Sequence, residues 1–111
     1  MKKESKSSCA FDIVKKWFET MGYQVLEKPS IQDNNADMYV VGNRKAVSVE
    51  IKLMVIKQNG NWECDPISVN QRNYDLCAVV LPGGNVFVEK MSDFLIHCSD
   101  AGYRGFNWMK L

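Results

Sequence analysis

At 111 residues, with 46% hydrophobic and 24% charged side chains, the chain has the composition of a folded protein and is too short for two ordinary domains, so residues 1–111 are expected to form one domain. A formal net charge of +1 gives no bulk electrostatic reason to expect a polyanion as partner, although Lys2, Lys3 and Lys6, Lys15 and Lys16, and Arg44 and Lys45 form short basic clusters that a fold could gather on one face. No apolar core follows the charged start and no window approaches the roughly 18 apolar residues of a membrane span, so a cytoplasmic protein without membrane association is expected.

Ser7 or Ser8 can cap a helix whose apolar residues Ala10, Ile13, Val14, Trp17, Phe18 and Met21 recur at the spacing of one buried stripe, with Gly22 ending it. Tyr23 to Glu27 reads as a short strand, and Pro29 to Asn35 as loop. Ala36 to Val41 and Lys45 to Ile56 are rich in β-branched and apolar residues and flank Gly42-Asn43, the pattern of a hairpin with a longer second strand. Trp62 to Asp65 follows as a brief strand, and the polar segment from Ile67 to Tyr74 suits a short helix starting near Pro66.

Leu76 to Leu81 is a continuous apolar run expected at the sheet centre, buried on both faces. Pro82-Gly83-Gly84-Asn85 turns the chain into a strand from Val86 to Glu89, and Ser92 or Asp93 can cap a helix reaching His97 or Cys98. This order of elements predicts an α/β or α+β architecture, a mixed sheet with helices on its faces. The segment from Gly102 to Leu111, with Tyr103, Phe106, Trp108 and Met109, is too apolar for a free tail and should cover the core or meet a partner. Cys9, Cys64, Cys77 and Cys98 form no C-x-x-C pair and have only His97 as an imidazole neighbour in type, so reduced, mostly buried thiols are expected in place of a zinc site.

The segment from Ala36 to Lys52 carries the chemistry. Alternation along a strand puts Glu50 and Lys52 on one face with Ala46 and Ser48, and Val47, Val49, Ile51 and Leu53 on the other. In the hairpin, Asp37 can approach Glu50 across the ladder, and two converging carboxylates call for a counter-ion, for which a hard divalent cation is suited. Taken as a bare pattern, the same residues describe a solvated strand face with Asp37 as a loop cap. His97 has no triad partners and reads as structural or surface, Arg72 as a surface residue, and Trp17, Phe18 and Trp62 as core.

The arrangement resembles the PD-(D/E)xK nuclease superfamily, and its small members similar to archaeal Holliday-junction resolvases, through Met21-Gly22-Tyr23 with Val25, then Ala36-Asp37-Met38-Tyr39-Val40-Val41, then Val49-Glu50-Ile51-Lys52, and more loosely through Leu76 to Val88. The resemblance implies a restriction-endonuclease-like mixed sheet flanked by helices and Mg²⁺-dependent hydrolysis of DNA phosphodiester bonds, with Mn²⁺ able to substitute. It implies Asp37, Glu50 and the Ile51 backbone carbonyl as metal ligands, Lys52 assisting the attacking water, and Gln71 placing water or phosphate. Asn35-Ala36 stands where family members often carry Pro before the Asp. The acid that resolvases carry early in the first helix is matched only by a displaced Asp12 within Cys9-Ala10-Phe11-Asp12, Glu19 lying too far along. An enzyme acting alone or as a homodimer is one expectation. A nuclease-fold module that binds DNA or a protein without cutting is a second, and an interaction protein using Tyr103 to Leu111 is a third.

Overall fold

The structure is a computed structural model that describes residues 6–26, 37–58, 60–100 and 106–108. The expected loop over 29–35, along with Lys2, Lys3, Glu27, Ala36, Tyr103 and Met109, lies outside the described residues.

Helix α1 runs over Lys6–Thr20, so Ser7 and Ser8 fall within it and not at the residue before it. Ala10, Val14 and Phe18 form its buried stripe, flanked by the partly buried Phe11, Ile13 and Trp17. Met21, expected on the same stripe, is 59% exposed because the chain has already left the helix. Gly22, at φ +94°, makes the exit: its N–H donates to the Glu19 carbonyl at 3.0 Å and the Tyr23 N–H to the Phe18 carbonyl at 2.9 Å. This is the paired closure that a left-handed residue permits, and the Phe18 and Tyr23 rings complete it edge to face at 5.7 Å.

Strands β1 (Gln24–Leu26), β2 (Met38–Gly42), β3 (Lys45–Leu53), β6 (Leu76–Val80) and β7 (Val86–Lys90) form a sheet in the order β1-β2-β3-β6-β7. The β3/β6 pair is parallel and its neighbours are antiparallel, so the sheet is mixed as expected. The hairpin turn is Asn43-Arg44, one residue later than the sequence suggested, with both residues at positive φ and Gly42 paired to Lys45. Such a turn matches the twist of the strands it joins. Gly42 stays in the ladder, and glycine is needed there because the Tyr23 ring lies where a Cβ would stand.

The long second strand also divides. β3 stops at Leu53, Met54 turns inward and donates its N–H to the Val80 carbonyl at 2.9 Å, and Val55–Ile56 (β4) joins a second sheet with β5 (Trp62–Cys64), β8 (Cys98–Asp100) and β9 (Phe106–Trp108), in the order β4-β5-β9-β8. The described part of the apolar C-terminal segment is thus a strand between β5 and β8. Between β5 and β6 the expected short helix is a 3-10 turn, Gln71–Asn73. Helix α2 (Met91–His97) starts directly from β7, with its Met91 N–H bonded to the Asp75 carbonyl, so Ser92 and Asp93 lie within its first turn instead of capping it.

Cys77 to Val80 are buried, as their apolar run implies, but the central strand of the five is β3, because β6 has only β7 beyond it. One face of the sheet packs Met38, Val40, Val49, Ala78 and Val80 against α1. The opposite face packs Cys77 and Val79 with Met54, Cys64, Ile67, Met91 and Phe94. Among the described residues no helix is long and apolar enough to cross a membrane.

Candidate active site

Three elements bring the candidate residues together. Asp37 immediately precedes β2, and Met38 pairs with Val49, so the ladder sets Asp37 beside Glu50. The Asp37 carboxylate is fixed by a bond from the Ile51 N–H to its Oδ2 at 2.9 Å. Glu50 and Lys52 pair with Cys77 and Val79 of the parallel strand and share their face. Both are buried on that face: Glu50 is 4% exposed and Lys52 8%. A solvated strand face is therefore ruled out for both.

Lys52 Nζ lies 3.5 Å from Glu50 Oε2 and donates to the Pro66 carbonyl at 3.2 Å. An ion pair this buried gives back in Coulomb attraction what it loses in hydration only when further hydrogen bonds complete it, which is the part Pro66 plays. Even so, Glu50 is pushed up to about 7, first by burial, then by the neighbouring Asp37 charge and hydrogen bond, with Lys52 pulling the other way. Two carboxylates set side by side form a donor set a hard divalent cation fits, since the cation compensates their charge more strongly than Lys52 alone. Among the described residues no three His, Cys, Asp and Glu side chains gather into a ready-made metal cage. Two carboxylates, a backbone carbonyl, water and substrate phosphate are the usual surroundings of Mg²⁺, which seldom occupies an all-protein cage.

A pocket of about 450 Å³ opens over this centre, lined by Ala10, Phe11, Asp37, Glu50, Ile51, Lys52, Leu53 and Asp65. The room for a ligand does not come from Ala46 and Ser48, as their small size suggested. The Ser48 hydroxyl is tied to Asp75, accepting from its N–H at 3.0 Å and donating to its Oδ2 at 3.2 Å. Asp65, expected at the end of a brief strand and marked by no motif, also lines the pocket. The α1 wall of the pocket is Ala10 and Phe11, and Asp12 is exposed. Tyr74, whose phenol is raised by burial and then by the negative charge of Glu50, stands near the same centre.

Gln71 is not among the pocket walls. Its side-chain oxygen accepts from the Ser68 N–H at 2.9 Å while its own N–H donates to Ser68 Oγ at 3.3 Å. Arg72 is exposed. His97 Nδ1 lies 3.0 Å from Glu89 Oε2, a pairing between β7 and the end of α2. All four cysteines are free thiols, with Cys64 and Cys77 buried, Cys98 half-buried and Cys9 exposed. Burial raises the Cys77 thiol and pushes Cys98 up to about 12, which leaves both protonated and inert. Trp17 packs edge to face on Phe18 at 5.0 Å and Trp62 against the second core, the structural roles expected of them.

No protein-family model and no curated protein matches the sequence. Among solved structures the chain is similar to that of a bacterial homing endonuclease, I-Ssp6803I, with a TM-score of 0.72 and 15% identity, over 98% of this chain and 78% of that one. At that identity the likeness shows the fold: the mixed sheet with its flanking helices is nuclease-like.

Proposed function

We propose that this chain is a Mg²⁺-dependent endonuclease that hydrolyses DNA phosphodiester bonds in the cytoplasm and accepts Mn²⁺ in place of Mg²⁺. The observation that carries the reading is the meeting of Asp37, Glu50 and the buried Lys52 in one pocket of a fold shared with a homing endonuclease. Asp37, Glu50 and the Ile51 carbonyl would hold the ion, with Asp37 kept in place by the Ile51 N–H. When bound, the ion would stabilise charge building on the phosphate and favour ionisation of the attacking water.

Lys52 does the rest. One N–H of its ammonium goes to Pro66 and the ion pair with Glu50 engages a second, which leaves the third for a water or a phosphate oxygen at the pocket floor. Low exposure strengthens that contact, because bulk water does not screen it. Asp65 adds a carboxylate on another wall of the pocket, suited to orienting water. Each centre serves one strand, so a homodimer would cut both strands of a duplex.

One observation favours a second reading, a module that binds DNA or a protein without cutting: α1 offers Ala10 and Phe11 to the pocket where the resolvases it resembles carry an acid. Nicking of supercoiled and branched DNA in Mg²⁺, Mn²⁺ or EDTA separates the two. The endonuclease cuts in metal alone and loses cutting in Asp37→Ala, Glu50→Ala and Lys52→Ala. DNA binding with no cutting on any substrate leaves the binding module.

A further inference from the structure

We infer that Ser68 and Gln71 are positioning residues for Lys52, forming a latch that holds the Pro66 carbonyl against its ammonium; the inference rests on the endonuclease reading of this pocket. Lys52 is buried at mid-strand, and its partners fix where its free N–H points. Glu50 is a neighbour on the same strand, but Pro66 belongs to the segment between β5 and the 3-10 turn, so the direction of the ammonium depends on how that segment is held.

Three constraints hold it. The Pro66 ring fixes its own φ. Ile67, 3% exposed, is anchored in the second core. Beyond it, Ser68 and Gln71 bond reciprocally, side chain to backbone in both directions, and the Arg72 N–H returns to the Ser68 carbonyl at 3.1 Å. Ser-x-x-Gln with this reciprocity has the bonding pattern of a capping box, here leading into the 3-10 turn whose first residue is Gln71. The peptide between Pro66 and Ile67 is thereby pinned from both sides, and its carbonyl faces Lys52. Gln71 acts through this chain of contacts, with its side-chain oxygen committed to Ser68.

Ser68→Ala, Gln71→Ala and Gln71→Glu test the latch against wild type with two readouts. The first is kcat and KM for plasmid nicking in Mg²⁺. The second, independent of any activity, is the rate at which an acetylating reagent modifies Lys52, read by mass spectrometry with the exposed Lys45 and Lys90 as internal controls. Glutamate keeps an acceptor for the Ser68 N–H but has no amide donor. With a freed ammonium, Ser68→Ala and Gln71→Ala lower kcat on the order of tenfold with KM nearly constant, as small misplacements of a reacting group do. Both acetylate faster at Lys52 alone, and Gln71→Glu returns both readouts close to wild type. Unchanged Lys52 labelling in Ser68→Ala and Gln71→Ala overturns the latch whether or not the protein cuts DNA. Gln71→Glu as impaired as Gln71→Ala, beside an unaffected Ser68→Ala, also overturns it, because the amide would then be touching substrate itself. A wild type that never cuts, with labelling that follows the latch pattern, removes the endonuclease reading and leaves Lys52 held as described.

Discussion

The two faces of β3 use the same nine residues for opposite ends. Toward α1, Val49 is buried with Met38, Val40, Ala78 and Val80, and hydrocarbon meets hydrocarbon. On the other face, Glu50 and Lys52 are almost as deeply buried, yet both are ionisable and Glu50 lies against Asp37. The first face lowers the free energy of the fold, and the second raises it by holding ionisable groups away from water. A strand that accepts such a penalty at its centre concentrates field strength where bulk solvent is excluded, which suits chemistry better than stability.

The sharpest test of this contrast alters one side chain packed on or belonging to each face. Phe18→Ala should cost about 3–5 kcal/mol of stability, as large-to-small changes in a closed core do, and lower the melting temperature while molecules that remain folded keep cutting. Asp37→Asn and Glu50→Gln, which keep an acceptor for the Ile51 N–H and for Lys52, should do the reverse, with nicking falling on the order of 10²–10³-fold and the melting temperature held or raised. Melting curves run beside plasmid nicking decide it, and the contrast breaks if either acid variant unfolds.

A smaller effect sharpens the electrostatic half. The Glu50 carboxyl is raised from 4.5 to about 7 in the folded protein, so the folded state keeps a proton that the unfolded chain has released. The contribution of Glu50 to stability should therefore be full below about pH 4.5 and be lost as pH rises through about 7. Glu50→Gln, which cannot ionise, should match wild type in acid and melt higher above pH 7, and Mg²⁺ or Mn²⁺ should narrow that gap by stabilising wild type alone. A gap independent of pH would place the strain elsewhere. The smallest effect lies away from both faces: Gly22→Ala, at φ +94°, should cost about 1 kcal/mol in thermal or denaturant melts without altering nicking.

Local features were legible where a local pattern determines them. The stripe of α1 through Ala10, Val14 and Phe18 follows from helical spacing, the break at Gly22 from glycine's tolerance of positive φ, and the shared face of Glu50 and Lys52 from alternation. The misread boundaries share a cause. Spacing puts Gly42 in the turn, but it stays in the ladder beneath Tyr23, and spacing puts Met54 in the strand interior, but it turns inward to the second core. Each depends on a residue from another element, which spacing along the chain does not encode.

The same division holds for the site. From sequence alone came the residue types and their order, with Asp37 opening one strand, Glu50 and Lys52 alternating on the next, and a hairpin to join them. The second core on that face, where Met54, Ile67 and Phe94 pack with Cys77 and Val79 of the parallel neighbour β6, came from tertiary structure, as did the burial of the two charged residues. So did the Pro66 carbonyl on Lys52 and Asp65 on the pocket wall. A backbone carbonyl has no signature in side-chain type, and a parallel pairing is settled by what the intervening chain can bury, so periodicity could name the acids and the lysine but not the surroundings that set their charge.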